Sequence, residues 1–187
     1  MHWSLERGKV AVTKKDYEAI DKLAIDIYVD YGITSFPLDI YGLAKKMGVK
    51  LIKYSSFYDE QRELFLKKSN DGFFVDSPNG PLIFYNDCIE YQGKINLTIA
   101  HELKHYICKD EIEDEDSEKL ADHFGRFLLC PTPYLIYSGI DDIYEIMEMF
   151  SLSYSAAINA HNATKKRKHY YGNKLFDYEQ ALVDLFI

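Results

Sequence analysis

The chain has 187 residues, of which 47% are apolar and 28% are charged, and it carries a formal net charge of −8. So much apolar and aromatic surface collapses in water, which excludes a chain that is disordered over its whole length. The acidic balance argues against direct nucleic-acid binding through bulk charge, and no apolar run reaches the ~18–20 residues of a membrane span.

The N-terminal residues and the cysteines argue against two further classes, secreted proteins and cysteine-based folds. The first residues lack the long apolar segment of a secretion signal, and the three cysteines form no CxxC pair. We therefore expect a cytoplasmic protein without a disulfide framework or a cysteine-based zinc site. Since domains run to ~100–200 residues, we expect a single domain over residues 1–187, with extra C-terminal helices at about 140–187.

The first half of the chain predicts helices followed by a small sheet. Apolar residues at three- and four-residue steps indicate an amphipathic helix, and Asn79-Gly80 between two apolar runs is a strong signal for a hairpin turn. The predicted elements are a helix at 16–30, a short helix ending near Gly48, a strand at 49–54, and hairpin strands at 72–75 and 82–85.

Helical patterns return in the second half of the chain. An acidic stretch begins after the first of these helices, and Pro131 closes the second. The predicted helices are one at 91–108, a second that carries Leu120, Phe124, Phe127 and Leu128, and two more at 141–150 and 153–167, whereas the tail at 170–187 is left unassigned. This order of elements predicts an α+β fold, with helices around a small, mostly antiparallel sheet.

One segment of the predicted helix at 91–108 indicates metal chemistry. Residues 101–105 read His-Glu-Leu-Lys-His and match HExxH. His101 and His105 lie one turn apart on the same helix face, where two imidazoles can bind one Zn²⁺. Glu102 is rotated by ~100° and can take a proton from a metal-bound water without being a ligand itself.

A zinc ion bound by two histidines needs a third protein ligand. The metzincin extension HExxHxxGxxH is excluded, because the residues after His105 do not match it. Glu118 fits best, since it shares a helix face with Asp122, and the small residues Ala121 and Gly125 allow close helix packing. Asp122 is then placed to accept the free N–H of a zinc histidine. Rival ligands in the same acidic stretch are Glu111, Glu113 and Glu115.

Two runs of sequence resemble the ImmA/IrrE metallopeptidases. Residues 96–105 read NLTIAHELKH and resemble the Thr-x-Ala-HELxH helix of that family. Residues 118–131 read EKLADHFGRFLLCP and resemble its E-x-x-A-(D/N)-x-F-A-x-x-L-L-x-P helix. The apolar strand at 82–85, which ends before Asn86, is similar to the segment that precedes the motif. The chain departs from the family pattern at Lys104, Lys109 and Gly125, where Gly, His and Ala are usual.

The resemblance implies a zincin-like fold with the HExxH motif on a central helix. Residue by residue, it implies that His101, His105 and Glu118 bind Zn²⁺ and that Glu102 is the general base. The expected activity is that of a cytoplasmic zinc endopeptidase. Its expected partner is a protein substrate, by analogy a helix-turn-helix repressor of a phage or mobile element, whose cleavage derepresses transcription.

A second hypothesis is a non-catalytic regulatory module that binds a protein partner and has a structural or vestigial zinc site. Glu102 discriminates between the two, because a structural site has no need for a carboxylate at that position. The basic run 165–168 would then be the place to look for DNA contact, although its simpler role is to cap a helix C-terminus. His161 is a weak candidate for polarising a scissile carbonyl.

Overall fold

The structure is a computed structural model that describes residues 12–109 and 114–187. This part of the chain forms nine α-helices, two short 3₁₀ helices and three β-strands. The helices are α1 (Lys14–Asp30), α2 (Ile40–Lys46), α3 (Asp59–Lys68), α4 (Gln92–Cys108), α5 (Glu115–Leu129), α6 (Thr132–Ser138), α7 (Ile143–Phe150), α8 (Tyr154–Tyr171) and α9 (Asp177–Val183). The strands are β1 (Lys50–Lys53), β2 (Gly72–Ser77) and β3 (Gly80–Tyr85), and the 3₁₀ helices are Tyr54–Ser56 and Asp184–Phe186.

Helix α1 begins where its sequence supplies a cap. The carboxylate of Asp16 accepts hydrogen bonds from the backbone N–H and the hydroxyl of Thr13, at 2.8 and 2.7 Å. The carboxylate thus closes the first turn of the helix. Further along, Tyr28 is fully buried, and its hydroxyl donates to the carbonyl oxygen of Leu128 at 2.6 Å. This bond ties α1 to the end of α5.

The sheet is mixed rather than mostly antiparallel, so that part of the expectation is wrong. Its order is β1-β3-β2, with β3 parallel to β1 and antiparallel to β2. Helix α3, which the sequence pattern did not predict, separates β1 from the β2–β3 hairpin along the chain. Strand β3 lies in the centre of the sheet and β2 at one edge. The hairpin turn is also tighter than expected, because β2 continues to Ser77 and β3 begins at Gly80.

The two faces of the sheet pack differently. On one face, β2 approaches α4 so closely that a Cβ on Gly72 would lie 2.6 Å from the Thr98 side chain and 2.8 Å from the Phe84 carbonyl oxygen. On the other face, Phe73 and Phe84 stack with ring centroids 5.1 Å apart, and Phe65 of α3 lies 5.2 Å from Phe84. Helix α4 lies directly beside the start of this edge strand, and only glycine therefore fits at position 72.

The C-terminal helices pack against the N-terminal part of the chain. The ring of Phe36 lies 4.5 Å from Phe150, 4.7 Å from Tyr134 and 5.0 Å from Phe186, measured between centroids. The tail at 170–187, which the sequence pattern does not assign, contains α9. Glu179 of this helix makes a buried ion pair with Arg167 of α8. Helix α6 was likewise not expected from the sequence. None of the helices described at 12–109 and 114–187 has both the length and the apolar character needed to cross a bilayer.

Candidate metal centre

Helix α4 carries the HExxH segment along its second half. It ends at Lys109, which adopts a left-handed conformation with φ of 50° and turns the chain away. The Nε2 atoms of His101 and His105 lie 3.1 Å apart, on the same face of the helix. His105 is buried, and the side chain of His101 is 16% exposed, so one imidazole reaches the edge of solvent.

Helix α5 brings a carboxylate to the two imidazoles. Asp114 caps this helix by accepting a hydrogen bond from the Ser117 N–H at 2.8 Å. Glu118 follows in the first turn, where the helix dipole favours negative charge. Its Oε2 lies 3.2 Å from His101 Nε2, and its Oε1 lies 3.3 Å from His105 Nε2.

Helices α4 and α5 run antiparallel, and small residues let them approach closely. Residues near the start of α5 face the end of the HExxH segment, whereas Gly125, further along α5, faces Leu97 and His101. A Cβ on Gly125 would lie 3.0 Å from Leu97 Cδ1 and 3.3 Å from the His101 backbone nitrogen. Ala121, one turn before Gly125, is completely buried. The close packing predicted around Glu118 and Asp122 is therefore present in the fold.

The three converging side chains fit a zinc ion. The ligand atoms of His101, His105 and Glu118 lie within 4.8 Å of one another. Zinc binds such ligands at ~2.0–2.1 Å in tetrahedral geometry, which sets the ligand atoms about 3.3 Å apart. The 3.1 Å between the two Nε2 atoms is close to that value, as are the 3.2 and 3.3 Å from these atoms to the two oxygens of Glu118. Two nitrogens and one carboxylate oxygen also form the donor set of many catalytic zinc sites.

Asp122 contacts the ring nitrogen of His101 that does not face the other two candidate ligands. Its Oδ1 lies 3.0 Å from His101 Nδ1. A carboxylate can only accept, so His101 donates its Nδ1–H and leaves the lone pair of Nε2 directed at the other two ligands. The second carboxylate oxygen of Asp122 lies 3.4 Å from Arg126, one turn further along α5.

The five residues that the sequence assigns to the metal centre line one cleft of about 470 Å³, namely His101, Glu102, His105, Glu118 and Asp122. Glu102, 8% exposed, lies in its wall beside the histidines. The lining also includes the end of α3, the turn that joins it to β2 and the start of β2, namely Lys68, Ser69, Asp71, Gly72 and Phe73. The cleft is thus open to solvent between a sheet edge and the HExxH helix.

Tyr54 is a residue near the cleft that the sequence did not single out. Its hydroxyl donates to the carbonyl oxygen of Ser69 at 3.1 Å, and Ser69 Oγ in turn accepts from the Gly72 N–H at 3.1 Å. Burial, together with the negative charge of Glu102, raises the pKa of Tyr54 to about 12. Tyr54 therefore stays a neutral donor that fixes the cleft wall, and no local pattern marks it as such.

Of the remaining candidates, those within the described residues do not join this group. Glu115 pairs with Lys119 at 2.9 Å, and the rival ligands Glu111 and Glu113 lie outside the described residues. His161 is buried against Asp141 at 3.0 Å and is not part of the cleft wall. The basic run 165–168 lies near the C-terminal end of α8.

Comparison with known proteins agrees with the motifs of α4 and α5. A search of curated proteins finds no match to the chain. The family described as peptidase M78, IrrE N-terminal-like domain, matches residues 44–162, well over half of the chain. The matched region contains β2, β3, α4 and α5, and hence every residue of the candidate metal centre. The chain therefore belongs to the ImmA/IrrE family of metallopeptidases, as the sequence motifs had indicated.

Proposed function

We propose that the protein is a zinc-dependent endopeptidase, built as a single zincin-like domain over residues 1–187 with extra helices at about 140–187. The observation that carries the proposal is the convergence of His101, His105 and Glu118 beside Glu102 in an open cleft. The contacts of α9 and Phe186 with the N-terminal helices support one domain rather than two.

The chain's own groups divide the chemistry between them. Zinc, when bound, activates water as a nucleophile and polarises the peptide carbonyl as a Lewis acid. Glu102 takes the proton of the attacking water on its carboxylate and later delivers it to the nitrogen of the leaving amine. Asp122 holds His101 in the tautomer that directs Nε2 into the site. A base of this kind is typically worth ~10²–10⁴-fold in rate.

The substrate backbone has a natural place along β2. Within the described residues, this strand has a hydrogen-bonded neighbour on one side only, which is β3. Its first residues, Gly72 and Phe73, line the cleft that also contains Glu102. An extended peptide could therefore add to the sheet edge and bring a scissile carbonyl over the metal centre.

The proposed substrate is a helix-turn-helix repressor that acts beside the enzyme in the cytoplasm. This step rests on analogy with the family. The competing reading, a regulatory module that binds its partner without cutting it, predicts the same association but no cleavage. A carboxylate in the wall of the cleft beside the histidines, at Glu102, favours the enzyme.

The test combines metal content with cleavage in cells. Purified protein should contain about one zinc per chain, and co-expression with a neighbouring repressor should yield repressor fragments that mass spectrometry can assign. Glu102→Gln should keep zinc and the repressor but leave it intact, and so act as a substrate trap. Glu148→Gln, which changes an exposed residue of α7 outside the cleft, is the matched control.

Two results would decide against the enzyme. Equal cleavage by wild type and Glu102→Gln would remove this carboxylate from the mechanism. Wild-type protein that binds zinc and the repressor tightly yet leaves the repressor uncut would favour the binding module.

A further inference from the structure

Lys104 lies inside the HExxH segment, yet it is only 2% exposed. Burying an ammonium group is costly unless hydrogen bonds replace its water. Its Nζ lies 3.1 Å from the Ser117 hydroxyl and 3.4 Å from the Ser117 carbonyl oxygen. The buried ammonium group of Lys104 on α4 thus contacts the first turn of α5.

That first turn contains the carboxylate of the metal centre. Ser117 immediately precedes Glu118, and its N–H donates to the capping carboxylate of Asp114. Asp114 thus satisfies N–H groups at the start of α5, but a cap within one helix does not by itself fix where this turn lies against α4. The Glu118 side chain is itself 48% exposed, so burial does little to fix it. Contacts with α4 must therefore keep the Glu118 carboxylate beside His101 and His105.

Two contacts of different kinds join α4 to α5 at the ends of the metal centre. Towards the C-terminal part of α5, Gly125 lies against Leu97 and His101 and sets how closely the helix axes approach. Towards the start of α5, the contact is polar and runs from Lys104 to Ser117. Glu118 lies between them, one residue from the polar contact.

We propose that Lys104 is a positioning residue, which holds the first turn of α5 on α4 so that Glu118 stays within reach of His101 and His105. Zinc affinity then depends on a lysine that does not touch the metal. The inference rests on the metal centre of the proposed function and adds to it a residue outside the ligand set.

The test measures zinc affinity by competition with a chelator, and thermal unfolding of the zinc-free protein. Lys104→Met keeps the length of the side chain and removes the donor, and an apolar replacement of a buried charge is often neutral for stability. We expect zinc affinity to fall ~10–100-fold, the usual cost of losing a group that orients a ligand, with little change in the zinc-free melting temperature. Lys119→Met is the control. It removes the same charge next to Glu118, from a side chain that pairs within α5.

The acceptor side gives a second, milder pair of variants. Ser117→Ala should weaken zinc binding by ~5-fold, the usual effect of one hydrogen bond, whereas Ser117→Thr keeps the hydroxyl and should restore affinity. In the Lys104→Met background, Ser117→Ala should have a smaller effect than in wild type, because the hydrogen bond between the two side chains is already lost.

The outcomes separate this inference from the proposed function. Wild-type protein that binds no zinc overturns the metal centre itself, before any variant is compared. Wild-type protein that binds zinc, with unchanged affinity in Lys104→Met, overturns the role of Lys104 alone. If Lys104→Met does not fold, the Ser117 pair decides, and equal affinities of the Ala and Thr variants refute the proposal.

Discussion

The metal centre and the aromatic cluster around Phe36 are held together in opposite ways. At the candidate metal centre, small residues bring α4 and α5 together. The Nε2 atoms of His101 and His105 lie 3.1 Å apart, and each lies 3.2 or 3.3 Å from one of the two oxygens of Glu118. Around Phe36, rings from three other parts of the chain pack with centroids 4.5 to 5.0 Å apart. The first region gathers polar groups for a ligand, whereas the second buries apolar surface and supplies stability. Binding and stability should therefore respond to different substitutions.

The largest effect is expected from removing a proposed metal ligand. His101→Ala and Glu118→Ala should each lower zinc affinity by ~10²–10³-fold, since each removes one of three protein ligands. The zinc-free melting temperature should change little, because Glu118 is half-exposed. Elemental analysis and chelator competition provide the measurement, and His169→Ala, at an exposed position of α8, is the control. Full zinc occupancy in either ligand variant would refute the assignment.

The opposite response is expected in the aromatic cluster. Phe150 is 3% exposed and packs against Phe36 and Tyr134, so Phe150→Ala should lower the free energy of unfolding by ~3 kcal/mol. Zinc affinity of the folded protein should stay as in wild type. Denaturant unfolding of the zinc-free protein measures the first quantity, and Tyr144→Ala, at an exposed position on the same helix, is the control. A weaker zinc site in folded Phe150→Ala would show that the two regions are coupled.

Asp122 tests how far the metal centre extends beyond its ligands. Asp122→Ala should weaken zinc binding ~10–100-fold and leave the fold intact, because His101 loses the acceptor that fixes its tautomer. Asp122→Asn can still accept a hydrogen bond and should lose less. Zinc affinities of the three proteins at one pH make the comparison, and equal values for all three would remove Asp122 from the site.

The smallest expected effect concerns the buried thiol of Cys130, and it is an effect on stability. Burial raises the pKa of Cys130 to about 12, so the folded protein holds a proton that the unfolded chain loses from about pH 9. The stabilisation is complete below pH 9 and is lost as the pH rises. The free energy of unfolding should fall by ~1 kcal/mol between pH 9 and 10 in wild type. Cys130→Ala should lack this contribution, whereas Cys88→Ala, at an exposed thiol, should keep it. Identical slopes in all three proteins would contradict the assignment.

Local patterns were sufficient to predict the helices of the metal centre. In α4, both histidines and the buried Ile95, Ile99 and Leu103 repeat at helical spacing, and the closing Pro131 after α5 is a local signal too. The closeness of α5 to α4 could be anticipated because Ala121 and Gly125 share a face with Glu118. Such features need no knowledge of distant contacts.

The missed features depend on contacts that are remote in sequence or lack periodicity. Of the ten residues of α3, none is buried, so no apolar stripe marks this helix. It separates β1 from the hairpin along the chain, and β1 pairs with β3 and not with β2, the next strand in sequence. Helices α6 and α9 have only seven residues each, too few for a clear period. Tyr54 reaches the cleft through Ser69, and Lys104 is buried by α5, which no single segment reveals.

The position of β2 at the sheet edge has a consequence for what controls the proposed reaction. A peptide that adds to this edge must offer an extended main chain, which a folded repressor exposes only when it opens locally. Cleavage would then act on the small fraction of substrate molecules that are locally unfolded. Each additional ~1.4 kcal/mol of local stability would slow cleavage tenfold. A signal could thus switch proteolysis on by loosening the repressor, with no change in the enzyme.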